Sequence, residues 1–598
     1  MGSPRPPTEN ERTSPTVAER SEVDWVTRFA DEVIAAVERR GCKQVVCASG
    51  LSPSGPIHLG NLRELMTPHL VVDEIRRRGY DCVHLLSWDD YDRFRKVPAG
   101  IDPSWAEHIG KPLTAVPAPA GSTYPNWAEH FKAPMTSALA DLGIEFQGIS
   151  QTERYTSGSY RDEIILAMRE RARIDAILAR YRTKAKPNPG DEPAAIPSGD
   201  AVDDAAAAIA TEDSGAAFED DGTTSSGYFP YKPYCSRCNK DLTTVTSYDD
   251  DTTALSYRCG CGHTETVHLS EYNHGKLVWK VDWPMRWAYE GVVFEPSGVD
   301  HSSPGSSFIV GSQLVREIFS QEPPIGPMYA FVGISGMAKM SSSRGAVPTP
   351  ADALEIMEAP VLRWLYVRRR PNQSFKVAFD QEIHRLYDEW DALGRRMADG
   401  SVTPGEAVAY SRSTRTTSTE LPVTARPVPY RTLTSIVDIT ADHEEQILRI
   451  LRNLEPDSPN VSLDEYQPRL ACAQAWVATQ MPADQRTRVR LEPNIEMLVT
   501  LDDDERNMLQ LLLDGLNADW SLEGLTRLVY GVPKLQLGLP SDAQPTVELK
   551  TAQRRYFVLL YHLLIGRDTG PRLPTLLLAV GADRVRKLLV ACLDGNVT

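Results

Sequence analysis

The sequence predicts an α/β domain with a parallel sheet, followed by a domain that is largely α-helical. Three observations carry this. Apolar runs and helical patterns alternate near the start: a helix over Val23 to Arg40, a strand over Gln44 to Ala48, a helix over Leu62 to Arg78 and a strand over Cys82 to Ser87. Glycine- and carboxylate-rich stretches follow directly on those strands, where open parallel sheets bind ligands. From Tyr430 onward helical patterns dominate, with strongly apolar stretches at Leu509 to Leu516 and Tyr556 to Leu564.

The first strand runs into Pro53-Ser54-Gly55-Pro56-Ile57-His58-Leu59-Gly60-Asn61. His58 and Gly60 therefore sit where a strand turns into a helix. The start of that helix offers free N–H groups and a partial positive charge, which suits phosphate. Gly50, Gly55 and Gly60 allow close approach of a ligand to the backbone. His58 would donate a hydrogen bond to charge developing on phosphate oxygens. Lys339, in the Gly- and Ser-rich stretch Lys339-Met340-Ser341-Ser342-Ser343, would supply a second cation. The second strand ends in Trp88-Asp89-Asp90-Tyr91-Asp92, a cluster of carboxylates at the same kind of edge.

Asp162 to Tyr181 reads as one long helix. Residues 184–224 are rich in Ala, Gly, Asp and Pro and read as a flexible insertion without a core. Residues 228–268 carry Cys235, Cys238, Cys259 and Cys261. Two close cysteine pairs suit a structural, tetrahedral Zn2+ with no open position, so this metal is expected to take no part in catalysis. Gly311 to Phe319 reads as a helix and Met328 to Gly333 as a strand leading to Lys339. The Ser-, Thr- and Pro-rich residues 400–429 read as the interdomain linker.

At 598 residues the chain should hold several domains. No run of about 18 apolar residues exists, so no membrane span is expected. The polar residues 1–21 read as a disordered tail rather than a secretory signal. The net charge of −17 excludes a generally basic, nucleic-acid-coated surface. An RNA partner would need local patches, with Arg363 to Arg370 and Arg486 to Arg490 as candidates. Cys42, Cys47, Cys82, Cys472 and Cys592 read as buried free thiols, which fits a reducing, cytoplasmic setting.

The pair His58-Leu59-Gly60-Asn61 and Lys339-Met340-Ser341-Ser342-Ser343 resembles the two signatures of class I aminoacyl-tRNA synthetases, usually written HIGH and KMSKS. Further segments narrow the resemblance: Ala48 to Gly55, Arg93 to Pro98, Trp279 to Trp287 and Phe294 to His301. Together they resemble class I lysyl-tRNA synthetase over residues 22 to 390. Three departures stand out. Asn61 replaces the second His, Ser342 replaces the second Lys, and Val299 stands where the family usually has Lys.

The resemblance implies a Rossmann-like catalytic domain over residues 22–340 with the zinc module inserted. It also implies a stem-contact helical region at 341–399 and an α-helical anticodon-binding domain at 430–598. It implies ATP as substrate with Mg2+, and L-lysine and tRNA(Lys) as partners; the oligomeric state stays open, with a monomer favoured. ATP would meet Pro53, Ser54, Gly55, His58, Gly60, Asn61, Lys339, Met340, Ser341, Ser342 and Ser343, with His58, Asn61 and Lys339 catalytic. The lysine pocket would use Gly50, Ser52, Trp279, His301 and Tyr329. A lysine ammonium needs a negative partner when desolvated. One of Asp89, Asp90 and Asp92 could supply it, with Asp89 placed in the pocket, or Asp282 or Asp300 could, while Asp92 could instead cap or pair with Arg93, Arg95 or Lys96. Trp283 and Trp287 read as core. Two other readings stay open. A glutamyl-type class I enzyme would want a basic residue in its pocket. A non-catalytic RNA-binding paralogue would not need His58, Gly60 and Lys339 intact.

Overall fold

The computed structural model describes residues 24–98, 100–182, 222–301, 305–335, 347–454, 462–498 and 500–590. The N-terminal 23 residues, most of the 184–224 stretch and the Lys339 to Ser343 motif lie outside them. The chain divides into two compact units. One comprises residues up to 354, 359–378 and 393–421; the other comprises 355–358, 379–392 and 422 onward.

The first unit is built on a parallel sheet. Helix α1 (Trp25–Arg40) begins at Asp24, whose side chain accepts from Thr27 N–H, and ends at Gly41 in the left-handed region. Strand β1 (Val45–Leu51) follows, then helix α2 (Leu62–Arg77) and strand β2 (Cys82–Trp88). After helix α3 (Trp127–Asp141) comes strand β3 (Gln147–Ser150). β1 pairs with β2 from Val45↔Cys82 to Leu51↔Trp88, and β2 pairs with β3 from Leu85↔Gln147 to Trp88↔Ser150. On the far side of β1, Val293 N–H donates to the Val46 carbonyl and Ala48 N–H to the Phe294 carbonyl, both at 2.8 Å. Ile325 N–H and Glu295 N–H extend the ladder once more, and Ser297–Gly298 runs parallel to Met328–Tyr329. The spatial order is therefore β3, β2, β1, then the segments at 293–298 and 325–329. β1 is almost wholly buried, as expected of a parallel strand covered on both faces. All five segments end on one edge.

The cysteine-bearing segment grows from a two-stranded stem, Tyr231–Pro233 antiparallel to Gly275–Leu277. Its body is an antiparallel meander of Thr243–Tyr248, Ala254–Cys259 and Thr264–His268. Two expected elements are broken up. Asp162 to Tyr181 forms two helices, Arg161–Arg169 and Arg171–Arg182. Met328 to Gly333 forms two short strands, Met328–Tyr329 and Val332–Ser335, which pair with different neighbours.

Residues 400–429, expected as a linker, contain a helix instead, Pro404–Thr414. Thr403 and Glu406 close it with a capping box, and Ser413 and Thr414 donate to carbonyls one turn back. Its Arg412 is buried in the first unit against Asp24 at 2.7 Å and Glu74 at 2.9 Å. The Ser- and Thr-rich composition reflects local hydrogen bonding, not a solvated tether. The boundary between the units falls within this stretch, at residue 421, and two earlier pieces of chain also belong to the second unit. Arg363, placed in a candidate RNA patch, is fully buried and donates to the carbonyls of Leu142 and Arg412. Cys42 is exposed, whereas Cys47, Cys82 and Cys472 are buried. No described helix is long and apolar enough to cross a membrane.

The second unit is helical, including Tyr430–Thr440, Arg469–Thr479, Leu522–Gln536 and Val547–Ile565. Its core holds a buried ion triad. Arg469 meets Glu358 and Asp391, each at 2.8 Å, and Thr424 donates to the other oxygen of Glu358. The Tyr387 ring stacks on Tyr430 at 4.1 Å and lies under the Arg469 guanidinium. Removing the cation would leave the buried Glu358 carboxylate without its counter-ion. Arg469→Met is therefore expected to cost the second unit about 3–5 kcal/mol, read as a lowered urea midpoint. A loss below about 1 kcal/mol would show that the triad is solvent-screened like a surface pair.

Candidate active site

The turn after β1 has a defined geometry. His58 is extended (φ −83°, ψ 162°) and its Nδ1 accepts from Gly60 N–H at 3.1 Å. An accepting Nδ1 places the proton of the neutral ring on Nε2, which is then the donor. A Cβ on residue 60 would lie 2.8 Å from the His58 ring, so any larger residue there would push the ring out of this arrangement. The turn is held from two sides. Leu59 N–H donates to the Pro348 carbonyl at 2.8 Å, and the Trp127 indole N–H donates to the Ser54 carbonyl at 3.0 Å. Helix α2 then begins, with its free N–H groups and positive dipole end at the turn.

Acidic groups collect around the neighbouring strand ends. Arg286, on the helix Trp279–Glu290, reaches Asp89 at 2.5 Å and also binds Asp282. Lys276 pairs with Asp92 and lies 3.5 Å from Asp282. The Tyr155 hydroxyl donates to Asp282 at 2.5 Å. Burial pushes the Asp89 carboxyl up to about 6, against the pull of Arg286. Asp92 is held below its ordinary value because Lys276 and Arg95 outweigh its desolvation. Asp90 serves the fold: it binds Lys132 at 2.6 Å and accepts from Ser150 and Thr152.

Two further carboxylates complete the cleft. Glu64, in the first turn of α2, accepts from Gly50 N–H at 3.1 Å and from the Tyr329 hydroxyl at 2.8 Å. It is half-buried, yet the surrounding protein desolvates it and pushes its carboxyl up to about 8, aided by Glu295 and Asp89. Glu295 is buried and accepts from the Trp283 and Trp287 indoles at 2.9 and 2.6 Å. Burial carries it to about 7 against those donors.

The four cysteines form a separate centre. Their sulfurs lie within 4.8 Å of one another and could hold a metal ion. Cys235 to Cys261 is 3.8 Å and Cys238 to Cys259 is 3.6 Å, far too long for disulfides. A tetrahedral ion at about 2.3 Å from each sulfur spaces neighbouring sulfurs by roughly 3.8 Å. Each pair sits on a tight knuckle. Asn239 N–H donates to the Cys235 carbonyl, with Asn239 at φ 56°, and Gly262 N–H donates to the Cys259 carbonyl, with Gly262 at φ 84°. His263 stands beside the cluster, with Ser236 and Glu265.

The family model for tRNA synthetases class I (K) matches residues 23–419. The chain belongs to this family. A lysine–tRNA ligase of Streptomyces coelicolor is 67% identical over 586 residues, 96% of this chain and 100% of the relative. Lysine–tRNA ligases of Thermococcus kodakarensis and Pyrococcus horikoshii are 32% and 31% identical, each over 95% of this chain and 99% of the relative. A glutamate tRNA ligase structure from Elizabethkingia meningosepticum gives a TM-score of 0.40 at 11% identity, covering 92% of this chain and 99% of that chain. At that level it decides nothing.

Against this class I (K) background, the expected residues fall in three groups. Gly50, Asp89 and Tyr329 come together around Glu64. Trp279 stacks on Trp283 at 5.1 Å, and the His301 ring lies 5.8 Å from Trp283. Pro53, Ser54, Gly55, His58, Gly60 and Asn61 lie in the turn and helix start, with Ser52 just before them. Lys339, Met340, Ser341, Ser342 and Ser343 lie outside the described residues. Asp92 makes its ion pair with Lys276, while Arg95, one of the expected partners, acts on it from further off. Trp283 and Trp287 are core residues that also hold Glu295. Glu64 and Glu295 escaped the sequence reading. The spacing of Glu64 from Asn61 was the available signal, because helical side chains lean toward the N-terminus and so toward the turn.

Proposed function

We infer that this chain joins L-lysine to tRNA(Lys) at the expense of ATP, through a lysyl-adenylate. The carrying observation is the surplus of carboxylates at the strand ends. Among the described residues, Asp89, Asp92 and Asp282 make ion pairs with Lys276 and Arg286, and Arg95 acts on Asp92 from further off. Glu64 and Glu295 stand beside them, and no described base lies within ion-pair distance of either. A substrate that carries its own cation completes this charge balance. A glutamate would add another carboxylate, which disfavours the glutamyl alternative. The names of the curated relatives agree with lysine.

We assign the ε-ammonium of lysine to Glu64, beside Gly50 and Tyr329, and MgATP to the turn at His58. In the first step a lysine carboxylate oxygen attacks the α-phosphorus. The bond to the bridging oxygen breaks and pyrophosphate leaves. No proton has to move, so alignment and charge stabilisation carry the rate. His58 Nε2–H and the first N–H groups of α2 would donate to phosphate oxygens, with Asn61 beside them. Lys339 is assigned to the departing pyrophosphate. In the second step a terminal ribose hydroxyl oxygen of tRNA bonds to the lysyl carbonyl carbon, the bond from that carbon to the phosphate oxygen breaks, and AMP leaves with the hydroxyl proton passing to its phosphate or to water. The helical unit is assigned to the anticodon end of the RNA. The four cysteines are assigned a structural Zn2+, whose tetrahedral shell they fill.

The test is pyrophosphate exchange with each amino acid. Exchange is expected with lysine and ATP; exchange with glutamate instead would overturn the assignment. His58→Ala and Lys339→Ala should each slow adenylate formation by roughly 10²–10³, the usual cost of one such donor. Unchanged single-turnover rates in both would remove their roles.

Glu64 gives a pH signature. With its carboxyl at about 8 in the free protein, most copies are protonated at pH 7. An ammonium set against it favours the ionised form and lowers that value. Lysine binding near pH 7 should therefore release a proton, and affinity should rise with pH toward 8 and level off above it. Calorimetry in buffers of different ionisation heat reads the proton directly. Glu64→Gln should abolish the release and weaken binding by roughly 10²–10³. Proton uptake, or affinity independent of pH in the parent protein, would exclude Glu64 as the partner.

Cys→Ser at position 235, 238, 259 or 261 should lower the zinc content and loosen the meander. Freshly purified protein without zinc would sink the metal assignment.

A further inference from the structure

We propose that Arg63 is a positioning residue: it clamps the chain carrying Tyr329 against helix α2 and so sets the spacing between Tyr329 and Glu64. The proposal rests on the lysine reading above.

Arg63 lies two residues beyond Asn61 and is 2% exposed. Its guanidinium donates to the carbonyls of Arg370 at 2.6 Å, Gln373 at 2.7 Å and Ala330 at 3.1 Å. Its central carbon lies 5.2 Å from the centre of the Phe375 ring. No described carboxylate lies within ion-pair distance, and burial draws its pKa down to about 10. Burying a cation without a counter-ion is costly. A position that needed only packing would be served better by an apolar side chain. What an arginine adds is a rigid, planar set of donors that holds several acceptors in one geometry.

The acceptors are not scattered. Ala330 directly follows Tyr329. Arg370 and Gln373 bracket a turn closed by Gln373 N–H to the Arg370 carbonyl, and Ala330 N–H donates to Pro371 inside that turn. Arg63 thus grips one body made of the Tyr329 strand and the 370–373 turn. Its neighbour Glu64 grips the same strand by a side chain, accepting from the Tyr329 hydroxyl at 2.8 Å. Consecutive residues of α2 hold the strand through its main chain and through its tyrosine. Loosening the first contact would let the second drift, and with it the wall of the lysine pocket.

The experiment is a double-mutant cycle on lysine-dependent pyrophosphate exchange. Arg63→Lys keeps the charge but offers one point of donors, which cannot span three carbonyls. We expect KM for lysine to rise about tenfold, with kcat and KM for ATP changed less than about threefold. In a Tyr329→Phe background the same substitution should change KM for lysine less than about twofold, because the group it positions is gone. Phe375→Leu leaves the donors in place and removes the ring above them. It should give a smaller rise with the same dependence on Tyr329, and it serves if Arg63→Lys folds poorly. Additive effects in both cycles, or equal rises for lysine and ATP, would reduce Arg63 to a structural residue and overturn the proposal. Parent protein that exchanges pyrophosphate with another amino acid would instead discard the lysine reading.

Discussion

Arg286 is the interaction on which the site depends. One buried guanidinium holds Asp89 at the end of β2 and Asp282 one turn back on its own helix, and also reaches Ser87 at 3.1 Å. Asp282 in turn accepts from Tyr155, and Lys276 from the stem of the cysteine module closes on Asp92. Sheet edge, helix and module stem therefore meet in one ionic network. Such a network adds little net stability, because desolvation offsets most of the Coulombic gain. What it supplies is geometry. No member can move without stranding a buried charge.

The network is also electrically unfinished, and the unfinished part is the useful one. The carboxyls of Asp89, Glu295 and Glu64 sit at about 6, 7 and 8, and in each the largest cause is desolvation. The ordering follows their partners. Asp89 has Arg286, Glu295 has two indoles, and Glu64 has a phenol and one amide. The group with the weakest support is the one that gains most from a cation. Selectivity for lysine would then need no elaborate pocket: a neutral or acidic side chain leaves Glu64 protonated and unpaired by charge.

Legibility in the sequence followed the range of the interactions. The turn at His58 was readable because an apolar strand, three glycines and a helix start are local. The cysteine site was readable because its ligands come in close pairs, Cys235 with Cys238 and Cys259 with Cys261. Glu64 was not, since it looks like an ordinary polar residue on α2 and its partner Tyr329 lies 265 positions away. The helix inside the stretch expected as a linker was hidden for a related reason. Thr403, Ser413 and Thr414 cap and back-bond a helix, and Arg412 crosses 338 positions to reach Glu74. Composition registers polarity, not where a hydrogen bond ends.

Two buried arginines show how such distances are bridged. Arg63 and Arg363 each lie inside the first unit, and each is drawn down to about 10 by burial. Both are satisfied mainly by backbone carbonyls: Arg63 by residues 330, 370 and 373, Arg363 by Leu142 and Arg412, with His69 beside it. A carboxylate partner would neutralise the charge but tie down only one side chain. Carbonyl acceptors tie down main chain, and main chain carries its neighbours with it. In a site assembled from segments hundreds of residues apart, that is the stronger constraint. The unbalanced charge is tolerable because a guanidinium disperses it over several donors, which a lysine ammonium cannot do. Arg286 and Lys276 thus hold carboxylates of the site, Arg63 holds the backbone beside it, and Arg363 joins the end of α3 to the helix Pro404–Thr414.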